Sequence, residues 1–166
     1  MAVTIDGVGE INGVVLPTTS FGKVLQVVRA TNATQQDTSS GTFVDAGISV
    51  TITPQKTTST VILIHACSYL LFMASAGEQR GRIQITDSSN TAVSGAEDCN
   101  LGGTKVGTTG GQVQFWGNMI TIGYASPATL SAVTYKARFA VDTTSNQLRL
   151  RNNVATSQLY AIEVSA

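Results

Sequence analysis

One histidine, two cysteines, three prolines and a charged fraction of 12% are all that this 166-residue chain carries of the residue types that most often do chemistry. A single histidine without any C-x-x-C pair offers no zinc pattern. Two cysteines, Cys67 and Cys99, cannot build a disulfide framework, and free thiols are the expectation for a chain assembled in a reducing cytoplasm. Charge is about half the usual quarter of residues, and ten basic side chains balance ten acidic ones. The basic residues fall singly or in alternating pairs such as Arg80/Arg82 and Arg149/Arg151, which suits the solvent face of strands and leaves no basic field for nucleic acid. No apolar run approaches the roughly 20 residues of a membrane span. The opening MAVTIDGVGEING lacks the basic and long apolar regions of a secretory signal, so use without export is expected. Residues 98–111 hold five glycines but neither the Walker pattern nor G-x-G-x-x-G before a helix. A surface loop is expected there, and no cofactor.

What the chain does have is β-branched and hydroxyl side chains punctuated by turn residues. Its longest apolar run, VILIHACSYLLFM over 61–73, begins with a β-branched cluster that favours a pleat over a helix. Read with period two, Ile62, Ile64, Ala66, Ser68, Leu70 and Phe72 share one face and Val61, Leu63, His65, Cys67, Tyr69, Leu71 and Met73 the other. Both faces are largely apolar. An antiparallel strand with one wet face alternates, so this strand should be covered twice: once by an opposing sheet, and again by a loop of its own chain or by a neighbouring subunit. A helix over 66–79, stopped at Gly77, is a weaker alternative.

Further strands are expected over 23–30, 42–53 with a bulge at Gly47, 80–86, weakly over 91–97, then 112–124, 132–141, 147–151 and 158–164, separated by polar turns. In the second long strand, Gln112, Gln114, Trp116, Asn118, Ile120, Ile122 and Tyr124 share one face; the opposite face, from Val113 to Gly123, reads as core. Eight or nine short strands with no required helix mean an all-β antiparallel sandwich or jelly roll. Residues 1–22, with Gly7, Gly9, Gly13 and Pro17 and only short apolar pairs, read as an extended arm ahead of a domain over 23–166.

Catalytic constellations are thin. His65 sits mid-strand with no carboxylate near it in sequence, which suits a packed histidine better than the base of a triad. Glu78, Glu97 and Asp98 lack the aromatic neighbours of a glycosidase site. Trp116, Tyr124 and Tyr69 form an aromatic set that reads as interface or core before sugar platform.

The opening MAVTIDGVGEINGVV, the strand GKVLQVVRAT, and the segments FVDAGISVTITP, YASPATLSAVTYKARFAV and QLYAIEVSA together resemble a family of tailed-bacteriophage virion proteins. The domain of that family occurs in small capsid-associated proteins and at the distal ends of tail fibres. The resemblance implies a trimeric jelly roll of the tumour-necrosis-factor type, with an inner sheet packed around a threefold axis. It would place His65, Tyr69, Trp116, Asn118 and Tyr124 near the trimer contact. With a short arm rather than a long shaft, it implies a non-enzymatic decoration or cement protein on the capsid exterior, held on the major capsid protein lattice through Val3, Ile5, Ile11, Val14, Val15 and Leu16. The alternative it leaves is a tail-associated receptor binder whose loops recognise host surface glycan.

Overall fold

The computed structural model describes residues 22–74, 77–105, 111 and 113–165. The expected arm, with Val3, Ile5, Ile11, Val14, Val15 and Leu16, lies outside the described residues. Ten strands follow: β1 Val24–Asn32, β2 Gln36–Thr38, β3 Val44–Ile52, β4 Thr60–Met73, β5 Gly77–Asp87, β6 Cys99–Lys105, β7 Val113–Ala125, β8 Val133–Val141, β9 Gln147–Leu150 and β10 Ser157–Val164. Among the described residues there is no helix, and 66–73 belong to β4.

Pairing is nested from the outside in. All of the pairs β1 with β10, β2 with β9, β3 with β8, β4 with β7 and β5 with β6 are antiparallel. The chain is thus one long hairpin rolled upon itself, the topology of a jelly roll. Rolling brings β4 beside β10 and β9, and β5 beside β8. Two sheets result, one ordered β1-β10-β4 with β7 on the far edge of β4 and β9-β2 continuing the β10-β1 side, the other ordered β3-β8-β5-β6. Because β4 is 14 residues long, its one edge accommodates β10 along its first half and β9 along its second.

The core lies between the sheets. Strict alternation in β3 puts Ala46, Ile48, Val50 and Ile52 inward. They meet Val61, Leu63 and Leu71 of β4, Ile83 and Ile85 of β5, and Tyr135, Ala137, Phe139 and Val141 of β8 in one cluster. Gly47, at φ 72°, carries the register shift of the β3 bulge, a backbone conformation that glycine adopts without penalty.

Two stretches differ from expectation. Residues 99–105 form β6 rather than a loop: Leu101 is buried in the core, and at Gly102 a Cβ would stand 2.8 Å from the Gln79 carbonyl oxygen. Glycine there answers close approach of the neighbouring strand, not flexibility. Residues 91–97 make only isolated bridges, Thr86 to Ala92 and Ser94 to Tyr124.

Candidate subunit interface

The outer surfaces of the two sheets are chemically opposite. On the β3-β8-β5-β6 side the outward residues include Asp45, Ser49 and Thr51 of β3 and Thr134, Lys136 and Arg138 of β8. Lys136 pairs with Asp45 at 3.7 Å, the Thr51 and Thr134 hydroxyls meet at 2.8 Å, and Arg82 holds Asp98 at 2.6 Å. This is an ordinary solvated face.

On the other sheet the strand registers stack outward side chains in rows. One row runs Val27, Ile162, Ile62, Tyr124; the next Arg29, Tyr160, Ile64, Ile122; the next Thr31, Gln158, Ala66, Ile120. Ile120 is 66% exposed, and Val27, Ile122 and Tyr124 are more than half exposed. Cross-strand apolar pairs stabilise a sheet by up to about 1 kcal/mol each, but pairing alone leaves these tops in water. A contiguous apolar patch flanked by polar residues marks an interaction surface.

Beyond Ser68 and Asn118, which face each other in register, the face changes character. Leu70 is buried, Trp116 is exposed beside it, and the Arg151 guanidinium lies 4.1 Å from the Trp116 ring centre. Arg149 stands 5.1 Å over the Phe72 ring and donates to both Asp37 oxygens. Such stacked cations gain about 0.5–1 kcal/mol at exposed sites.

The register divides the five residues assigned to a trimer contact. Trp116, Asn118 and Tyr124 share the apolar outer face with Ile62, Ile64 and Leu70. His65 and Tyr69 do not join them: they pair across from Thr121 and Gly117 and point into the sandwich. Residue parity within each strand was legible; which parity of β4 matches which of β7 was not. Ile62 and Ile64 fall outside the assigned set for that reason, although the failure of β4 to alternate already signals a second apolar face; Ile120 and Ile122 share the face of Trp116 and Tyr124 in the sequence pattern itself.

His65 is 0% exposed, and its Nε2 lies 3.0 Å from the Ser157 hydroxyl, itself fully buried. Its Nδ1 has no partner among the described residues, so no carboxylate orients the ring. Burial lowers its pKa to about 4, leaving a neutral imidazole sealed from substrate. Cys67, on the same inward face, is a buried free thiol pushed up to about 12 by burial, and Cys99 is free too. Asp98 is engaged by Arg82. No group of three His, Cys, Asp or Glu side chains suited to a metal comes together among the described residues.

No family model matches the chain, and no curated protein does. Among solved structures it is similar to VP2 of infectious bursal disease virus. The VP2 subviral particle is 14% identical with a TM-score of 0.35, covering 85% of this chain and 37% of that one. The Gt strain structure is 11% identical with a TM-score of 0.26, covering 100% and 42%, and the T13 viral particle 14% identical with a TM-score of 0.28, covering 85% and 36%. The chain spans about two fifths of the length of these proteins. The jelly-roll topology stands on the strand pairing and not on these likenesses.

Proposed function

We propose that the protein is a non-enzymatic virion structural protein: a homotrimeric jelly roll that decorates the capsid exterior of a tailed bacteriophage. The observation that carries the reading is the asymmetry of the sandwich, charged on one outer face and apolar on the other. Three copies packed through the apolar faces cover Ile62, Ile64, Ile120, Ile122 and Tyr124, with Trp116 and Asn118 towards the arginine-bearing end. His65 and Tyr69 support that contact from beneath, through β4. The number three comes from the family resemblance. Val3, Ile5, Ile11, Val14, Val15 and Leu16 engage the major capsid protein lattice, and three arms on one lattice site raise a weak contact through effective concentration.

Deleting residues 2–22 tests the reading. The shortened protein should keep the mass of the assembled form and lose binding to capsids. Capsid binding undiminished by the deletion would overturn the role of the arm. Tight binding of the shortened protein to host cells, with none of the intact protein to capsids, would favour a tail-borne receptor binder instead.

A further inference from the structure

At one mouth of the sandwich, where β5 and β7 end and β8 begins, lies a cleft of about 470 Å³, within the roughly 300–1,000 Å³ of small-molecule sites. Asp87 and Tyr135, register partners across β5 and β8, both line it. Tyr135 is only 4% exposed, yet its hydroxyl makes no hydrogen bond among the described residues. The ring is buried but the hydroxyl is not: it reaches the cleft surface as an unpaired donor. Asp87 is held still, because its Oδ1 accepts from the Ser89 and Thr91 amides, both at 2.9 Å. Its Oδ2 accepts nothing among the described residues. Burial and the Asp87 carboxylate together push the Tyr135 phenol up, so it stays a neutral donor. Val93, Ala125, Pro127 and Val133 supply an apolar wall.

We infer that this cleft binds a neutral saccharide unit. The lining includes one carboxylate and no Lys, Arg or His, which excludes phosphates, carboxylates and nucleotides. An ammonium ion would satisfy Asp87 but accepts no hydrogen bond, leaving the Tyr135 proton unmatched. Adjacent sugar hydroxyls both donate and accept: one donates to Asp87 Oδ2 while its neighbour accepts from Tyr135, and the C–H face of the ring packs on the wall. The site lies outside the apolar sheet face, so it does not depend on the assembly proposed above.

The test is amide chemical-shift mapping of the intact protein against methyl glycosides of glucose, galactose, mannose and N-acetylglucosamine, with methylammonium as the competing cation. Shifts centred on Asp87, Thr91, Val133 and Tyr135 with at least one glycoside are expected. Tyr135→Phe, which keeps the ring, should bind about three- to tenfold more weakly, and Asp87→Asn, which keeps the Oδ1 turn contacts, should weaken binding too. Binding of methyl glycosides as tight as of the free sugars supports a glycan end as the source; binding of free sugars alone supports a free sugar. No shift at these residues with any glycoside or free sugar up to about 50 mM, saturation by methylammonium instead, or unchanged affinity in a folded Tyr135→Phe protein would overturn the assignment.

Discussion

Replacing Glu163 should cost this fold more than any other loss of a single charge. Its side chain is 0% exposed, at the end of β10 beneath the turn that joins β3 to β4. Oε2 accepts from Gln26 Nε2 at 2.6 Å; Oε1 accepts from the Gln55 amide at 2.7 Å and the Lys56 amide at 3.3 Å. Gln26 also donates to the Thr53 carbonyl at 2.7 Å, so one carboxylate ties β1, β10 and the turn together. Hydrogen bonds to a charged group contribute about 1.5–3 kcal/mol each, and water can replace part of that at an exposed turn. Glu163→Ala should therefore lose about 2–4 kcal/mol of stability, a drop in Tm of about 5–15 °C for a chain of this length. Glu163→Gln, retaining one acceptor oxygen, should fall between. Burial raises the carboxyl pKa, but donation from Gln26, Gln55 and Lys56 outweighs it and holds the group below the usual glutamate range. The sign follows: the carboxylate's contribution is complete above the unfolded pKa of about 4.3 and is lost as pH falls through the lower folded value. Thermal unfolding at fixed protein concentration should show a difference between native protein and Glu163→Gln that is flat from about pH 8 to about pH 5 and shrinks below about pH 4. A variant melting within about 1 °C of the native protein at neutral pH, or a difference that widens in acid, would show that the Glu163 carboxylate does not hold β1, β10 and the turn together.

His65 should give a separate acid dependence at higher pH. With its pKa lowered to about 4 against about 6.5 unfolded, stability is complete above the unfolded value and falls between the two, by about 3 kcal/mol in all; His65→Gln should flatten that slope in urea titrations run across the window. Gly123→Ala should cost about 1–3 kcal/mol, because the new Cβ would stand 2.7 Å from Val93 Cγ2, 2.8 Å from Ala96 Cβ and 3.1 Å from the Ser94 oxygen; a shift in the urea midpoint at unchanged slope would register it. Arg151→Ala should free the Trp116 ring and change its fluorescence, with no more than about 1 kcal/mol lost from the isolated fold.

Much of the architecture was legible because period two is a local signal. The alternation of β3 and β8, the stop at Pro54, the Asp87 turn and the bulge at Gly47 all follow from neighbouring residues. So did the warning in β4, where Ile62, Ile64 and Leu70 sit on the face that should have been polar. What local signals cannot carry is pairing between distant strands. The nested order of the hairpin, and the register that sets Ile64 against Ile122 rather than His65 against Asn118, are fixed by tertiary contact, and a one-residue slip exchanges the faces. That is why Trp116, Asn118 and Tyr124 were grouped with His65 and Tyr69, their opposites. β2, three residues long within a polar stretch, exists only because Arg149 and Leu150 of β9 pair with Asp37 and Gln36. The glycines of β6 imitated a loop, since a glycine chosen for close strand approach and one chosen for flexibility read alike.

The proposed burial of the outer face of β1, β10, β4 and β7 between copies can be measured by sedimentation equilibrium of the native chain beside Ile122→Lys. Ile122 is more than half exposed, so the substitution should change the stability of a single copy by no more than about 0.5 kcal/mol. In an assembly it removes about 1–2 kcal/mol of apolar burial per copy and buries an unpaired ammonium group at further cost. The prediction is a native mass three times that of the chain and a folded single-chain mass for Ile122→Lys. A native protein with the mass of one chain, or an Ile122→Lys assembly as tight as the native one, would contradict it.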